Sequence, residues 1–111
     1  MDDAMTLQVA DRFSRYPAGR DQNDGPFNGT AFRTVHLVPA LNEAKKSGRK
    51  LNVSFEGVIS YGSSFLEEAF GGLVRIERFK KSDLRKTLTI TNTSPYSDRY
   101  ERAIWRYIDN A

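Results

Sequence analysis

The chain contains no cysteine. That absence excludes a disulfide framework, a thiolate metal centre and a cysteine nucleophile, and it points to a reducing compartment. Histidine occurs once, as His36, and a lone imidazole without cysteines or a carboxylate cluster does not make a zinc site. No apolar run approaches the roughly 18 residues needed to cross a bilayer. The start, Met1-Asp2-Asp3-Ala4, lacks the basic and apolar regions of a secretory signal, so a cytoplasmic chain without a membrane partner is expected. The Lys-Ser/Thr of a P-loop and the dinucleotide glycine spacing are also missing. No metal, cofactor or catalytic residue is expected.

What is present fits one domain spanning residues 1–111. The 111 residues are 39% hydrophobic and 28% charged, with 7 Phe, 5 Tyr and 1 Trp to fill a core, a composition ordinary for a globular domain. Alternation at Leu7, Val9 and Phe13 predicts a strand over about 5–13. A long polar loop follows over about 14–29, and loops of that length are either functional or mobile. Phe32, Val35, Val38 and Leu41 recur at steps of three and predict a helix ending at Gly48, with a kink or two abutting pieces at Pro39. Leu51, Val53 and Phe55 form a second alternating run, and Leu84, Leu88 and Ile90 a third, over 84–92. Between those runs, Phe65, Leu66, Ala69, Phe70, Leu73 and Val74 form an amphipathic helix. Tyr100, Ala103, Ile104, Tyr107 and Ile108 form a last one. Strands polar on one side predict a sheet covered by helices on one face only, in an α/β domain with right-handed crossovers.

Three places could carry function. At the strand-to-helix turn Tyr61-Gly62-Ser63-Ser64, the spacing of Ser64 and Glu67 fits a capping box, which occupies Ser64 and leaves Ser63 facing solvent at the positive helix end, where a phosphate would be tolerated. Glu67 and Glu68 are neighbours about 100° apart on the helix and do not suit shared acid–base work. The loop over 12–29, with Arg12, Arg15 and Arg20 leading to a helix that carries Arg33, is a candidate anion site. Net charge is only +3, yet Arg75, Arg78, Lys80, Lys81, Arg85 and Lys86 place six positive charges within twelve residues. Such a run is either a solvated helix end or a patch for nucleic acid or an acidic partner.

The order of elements, with Gly57-Val58-Ile59-Ser60-Tyr61-Gly62-Ser63-Ser64-Phe65-Leu66, resembles the STAS fold of anti-sigma-factor antagonists and sulfate-transporter tails. The stretch from Tyr61 to Leu73, with Gly29-Thr30-Ala31-Phe32-Arg33, Pro39-Ala40-Leu41, Arg20 and Gly25, is similar to a bacterial STAS-like family of unknown function. The resemblance implies a mixed sheet of about four strands with helices packed on one face. It further implies a non-enzymatic regulatory interaction module with Ser63 or Ser64 as phosphoacceptor, and a partner surface including Tyr61, Gly62, Glu67 and Glu68. The implied partner is a protein, a histidine-kinase-like ATPase. Nucleic-acid or anion binding through 75–86 or the 12–29 loop is the alternative.

Overall fold

A computed structural model describes residues 4–60, 62–91 and 97–111, with the side chains of 97 and 98 left aside. Three strands, β1 (Met5–Gln8), β2 (Leu51–Ser54) and β3 (Leu88–Thr91), pair in the order β1-β2-β3, and both pairings are parallel. The expected mixed sheet of about four strands is therefore corrected to a parallel sheet of three among the described residues. Parallel neighbours cannot be joined by a hairpin, so each connection runs through helices. Both connections advance the same way along the sheet. Crossovers of the usual hand that advance in one direction lie on one face.

Register explains which face that is. Met5, Leu51 and Leu88 form one cross-strand row and Leu7, Val53 and Ile90 another, while Thr6, Asn52 and Thr89 make up the row between them. Side chains alternate across a strand, so the apolar rows turn to the helices and the polar row turns away. On the polar side the Asn52 carboxamide oxygen accepts from the hydroxyls of Thr89 at 3.1 Å and Thr91 at 2.6 Å.

Two expected strands were too long. β1 stops at Gln8, and α1 (Val9–Arg12) takes over. Val9 and Phe13 are four residues apart, a spacing that serves a helical turn as well as a strand parity. Similarly, 84–87 belong to a helix (Lys81–Thr87) that leads directly into β3. It has Asp83 in its first turn and Arg85 and Lys86 in its last, which complements the helix dipole.

Helix α2 covers 29–46, with residues Phe32–Leu37 wound as a π-helix between α-helical ends. The π turn adds one residue, so burial passes from Phe32 to Leu37, then Leu41 and Ala44, and Val35 is left 63% exposed. This corrects the expected stripe through Val35. It also meets the need of Pro39, whose missing N–H falls just past the widened turn, where two helical pieces abut without a break. Helix α3 covers 63–75 and likewise has a π segment, Glu67–Gly71. Its Phe65, Leu66, Ala69, Phe70 and Leu73 are buried as expected. The helix Lys81–Thr87 is α4. Ser97–Asn110, α5, buries Ile104 and Ile108 in the shared core. Phe13 packs against Phe27, Phe32, Phe65 and His36, tying the loop after α1 to both long helices.

Candidate functional site

The loop between α1 and α2 is built rather than loose. Ala18 N–H donates to Phe27 O at 2.8 Å, Arg20 N–H to an Asp24 carboxylate oxygen at 2.9 Å, and Asn28 Nδ2 to Gly25 O at 2.8 Å. The loop also closes the start of α2. Gly29 and Thr30 donate to the carbonyls of Gly19 and Arg20, both at 2.9 Å, and Ala31 donates to Asn28 Oδ1 at 2.8 Å. The Asn28 side chain is thus the cap. With those donors engaged inside the chain, the expected anion site at this helix start loses its backbone contribution.

Its arginines are engaged too. Arg33, on the π turn of α2, is only 3% exposed. Its Nε donates to Glu77 Oε2 at 3.0 Å, and Nη1 donates to Glu68 Oε2 at 2.8 Å and to the Glu68 carbonyl at 2.6 Å. Arg20 reaches from the loop to Glu67 at 2.5 Å and Glu68 at 3.4 Å. Arg75 bonds the other side of the Glu67 carboxylate at 2.8 Å. Three cations and three carboxylates from the loop, α2, α3 and the turn after it therefore form one neutral network. An anion at Arg20 or Arg33 would have to displace carboxylates that already fill them, which corrects the expectation for these two residues. Arg12 and Arg15 stand apart, both exposed.

Three glycines make the room. A Cβ on Gly29 would lie 2.8 Å from the Phe65 carbonyl oxygen and from Glu68 Cβ, and one on Gly72 would lie 2.9 Å from Arg33 Cζ. Gly71 sits under the Glu67–Arg75 pair, with its Cβ position 2.5 Å from Glu67 Oε2. Glu67, Gly71 and Arg75 are spaced i, i+4, i+8, and the empty middle position lets long side chains meet over it. That spacing is visible in the sequence. Nothing in the sequence signalled the Arg33–Glu77 pair.

Electrostatics follow from these contacts. The Arg75 hydrogen bond, aided by Arg20, holds the Glu67 carboxyl below its ordinary range against the effect of burial. For Glu68, burial pushes upward, but bonds and charges from Arg33 and Arg20 and the charge of Arg75 outweigh it and the net shift is down. Carboxylates held ionised in this way have no proton to donate near neutrality. Burial, with the charge of Arg12, lowers His36.

The predicted capping box is not formed. Gly62 (φ −94°, ψ 162°) is the cap of α3, no side chain among the described residues caps that end, and the Glu67 carboxylate is turned to Arg20 and Arg75 instead. Gly62, Ser63 and Ser64 are all exposed. Tyr61 lies outside the described residues. Ile59 N–H donates to Arg15 O at 2.8 Å, joining the β2–α3 connection to the loop after α1. These two connections leave the carboxyl ends of β1 and β2 and carry three exposed large side chains: Tyr16 at 63%, Phe27 at 46% and Ile59 at 61%.

The basic segment is dispersed by the fold. Arg75 is paired within the network, Arg85 pairs with Asp109 at 2.6 Å and lies over the Trp105 ring, and Lys81 donates to the Asp109 carbonyl at 2.7 Å. The side chains of Arg78, Lys80 and Lys86 are exposed and make no hydrogen bond or ion pair among the described residues. Half of the expected patch is thus committed within the chain.

A family profile matches residues 29–98, and its description is a STAS-like domain of unknown function (DUF4325). The chain belongs to that family. The match spans Gly29, Arg33, Glu67, Glu68, Gly71, Gly72 and Glu77, so the STAS-like region contains the ion network apart from Arg20. No match was found among curated proteins or among solved structures. No helix among the described residues is long and apolar enough to cross a membrane.

Proposed function

We propose that this STAS-like domain is a non-enzymatic regulatory module that docks a protein partner against the carboxyl end of its sheet. The observation that carries the reading is the group of exposed side chains Tyr16, Phe27 and Ile59 on two connections stitched together at that end. Large apolar side chains left in water and held on an ordered framework are characteristic of interaction surfaces. Open parallel sheets also place their binding residues beyond the carboxyl ends of the strands. The partner implied by the family resemblance is a histidine-kinase-like ATPase.

Ser63 borders this surface as the switch. It is exposed at the first position of α3, a helix start that no side chain among the described residues caps. A phosphate there would meet the positive end of the helix, adding charge without disturbing the core. Gly62 and Ser64 flank it. Glu67 and Glu68, expected on the partner surface, act instead as internal ligands of Arg20, Arg33 and Arg75.

Binding to a purified histidine-kinase-like ATPase tests this reading. Tyr16→Ser combined with Ile59→Ser is expected to weaken binding at least about tenfold, the effect of losing roughly 1.4 kcal/mol of contact, with thermal stability unchanged. Ser63→Asp should alter binding while Ser63→Ala preserves it. Equal binding by wild type, the double variant and Ser63→Asp would overturn both the surface and the switch.

A further inference from the structure

A cleft of about 470 Å³ opens between the second half of α2 and the turn joining α3 to α4. Its volume lies within the range typical of small-molecule sites. Val38 and Phe79 form its apolar wall, and Asn42 presents a carboxamide. The acidic residues at its rim are already matched: Glu77 accepts from Arg33 at 3.0 Å, and Asp83 faces Lys45 at 3.8 Å. The side chains of the cleft's other two cations, Arg78 and Lys80, make no hydrogen bond or ion pair among the described residues. The unmatched charge of the cleft is therefore positive.

Arg78 is unusual in a second respect. It holds φ 66°, and no other described residue except glycine has a positive φ. In this left-handed conformation, in the turn after α3, glycine fits without steric cost and another residue costs about 1 to 2 kcal/mol. Phe79 N–H donates to Leu73 O at 2.9 Å across the turn, so the backbone geometry is that of a helix stop. Glycine would serve the turn better, whereas arginine brings a planar five-donor guanidinium to the mouth of the cleft. Arg78 and Lys80 both line the cleft, and a guanidinium with an ammonium suits a phosphate, which arginine binds through two parallel hydrogen bonds.

We infer that the cleft formed by Arg78, Lys80, Asn42 and Phe79 binds a phosphate monoester whose attached group lies against Val38 and Phe79. The site is separate from the docking surface proposed above and does not depend on it. A ring-bearing ester of mononucleotide size fits the volume, and the same phosphate chemistry could come from inorganic phosphate or from a nucleic-acid backbone.

Amide NMR titrations of the whole chain with AMP, inorganic phosphate and an oligothymidylate lacking terminal phosphates separate these sources. The expected result is saturable shifts at Asn42, Phe79 and Lys80 with AMP, at lower concentration than with inorganic phosphate. Arg78→Gly is the informative variant because glycine suits the left-handed position. It should match or exceed wild-type thermal stability while raising the AMP dissociation constant at least about tenfold, the loss of one charge-assisted contact. Lys80→Gln should weaken AMP in the same direction. The inference is overturned if AMP gives no saturable shifts at the cleft, if inorganic phosphate binds as tightly as AMP, or if Arg78→Gly binds AMP like wild type. It is equally overturned if only the oligothymidylate binds, which would assign these cations to nucleic acid.

Discussion

Arg33 poses a sharp energetic question, because its guanidinium is buried and every bond described for it goes to Glu68 or Glu77. Converting both carboxylates to amides, Glu68→Gln with Glu77→Gln, keeps their shapes but strands a cation that is only 3% exposed. Leaving a buried charge without its counter-charge costs about 3 to 5 kcal/mol. The opposite perturbation, Arg33→Met, removes the cation and fills much of its volume with an adaptable apolar chain. The carboxylates it leaves behind are 14% and 24% exposed and have an outlet to water. Glu68 also keeps Arg20 at 3.4 Å and Arg75 at 3.8 Å. Its cost should be that of the lost net bonds, about 1 to 2 kcal/mol. Equilibrium urea unfolding at pH 7, followed by circular dichroism, resolves such a gap against the 5 to 15 kcal/mol typical of a domain. Combining all three substitutions should recover part of the loss, since the amides no longer face a charge. If Arg33→Met costs as much as the amide pair or more, the cation does not depend on its carboxylates and the account of the network is wrong.

The pH dependence has a determined sign. Glu67 and Glu68 sit below the ordinary value of 4.5, and His36 below 6.5. In each case the unfolded chain takes up protons first, so stability is complete above the unfolded value and is lost as pH falls through the folded one. Urea midpoints should be flat above neutrality, dip slightly below 6.5 and fall more steeply below 4.5. His36→Gln should abolish only the first step, and a midpoint that rises on acidification would contradict the assignment. Gly29→Ala should destabilise more than Gly25→Ser, despite the strained φ of 121° at Gly25. The reason is that an added Cβ at 29 meets the Phe65 carbonyl at 2.8 Å, while at 25 it meets nothing within 4 Å. Thermal melts of the two variants compare a backbone collision with strain alone, and equal loss would refute the close approach.

Much of the fold was legible because hydrophobic period reports which face is buried. The periodicity of α3 placed Phe65, Leu66, Ala69, Phe70 and Leu73 correctly, since its buried residues before and after the π turn still formed one stripe. In α2 the same kind of reading failed, because an inserted residue is invisible to a fixed period and moved burial from Val35 to Leu37. The strand ends misled for a related reason: Val9 with Phe13, and Leu84 with Leu88, are spaced four apart and satisfy both periods. The sequence placed Arg20, Arg33, Glu67 and Glu68 among its candidates but paired none of them. Long-range ion pairs depend on which elements meet, and composition has no record of that. The exposed Tyr16, Phe27 and Ile59 were likewise unreadable, because an apolar residue in a loop looks the same whether it packs or not.

Arg33 and Gly72 also constrain the order in which this surface could change. With Arg33 in place, a side chain at 72 must push a guanidinium away from partners on three sides. Once Arg33 has been shortened, the same side chain would enter space already vacated. A lineage could therefore reach the doubly substituted state by losing the arginine first, and hardly by filling the glycine first. The interlock makes one mutational path passable in a single direction, so position 72 gains freedom only after Arg33 has been replaced.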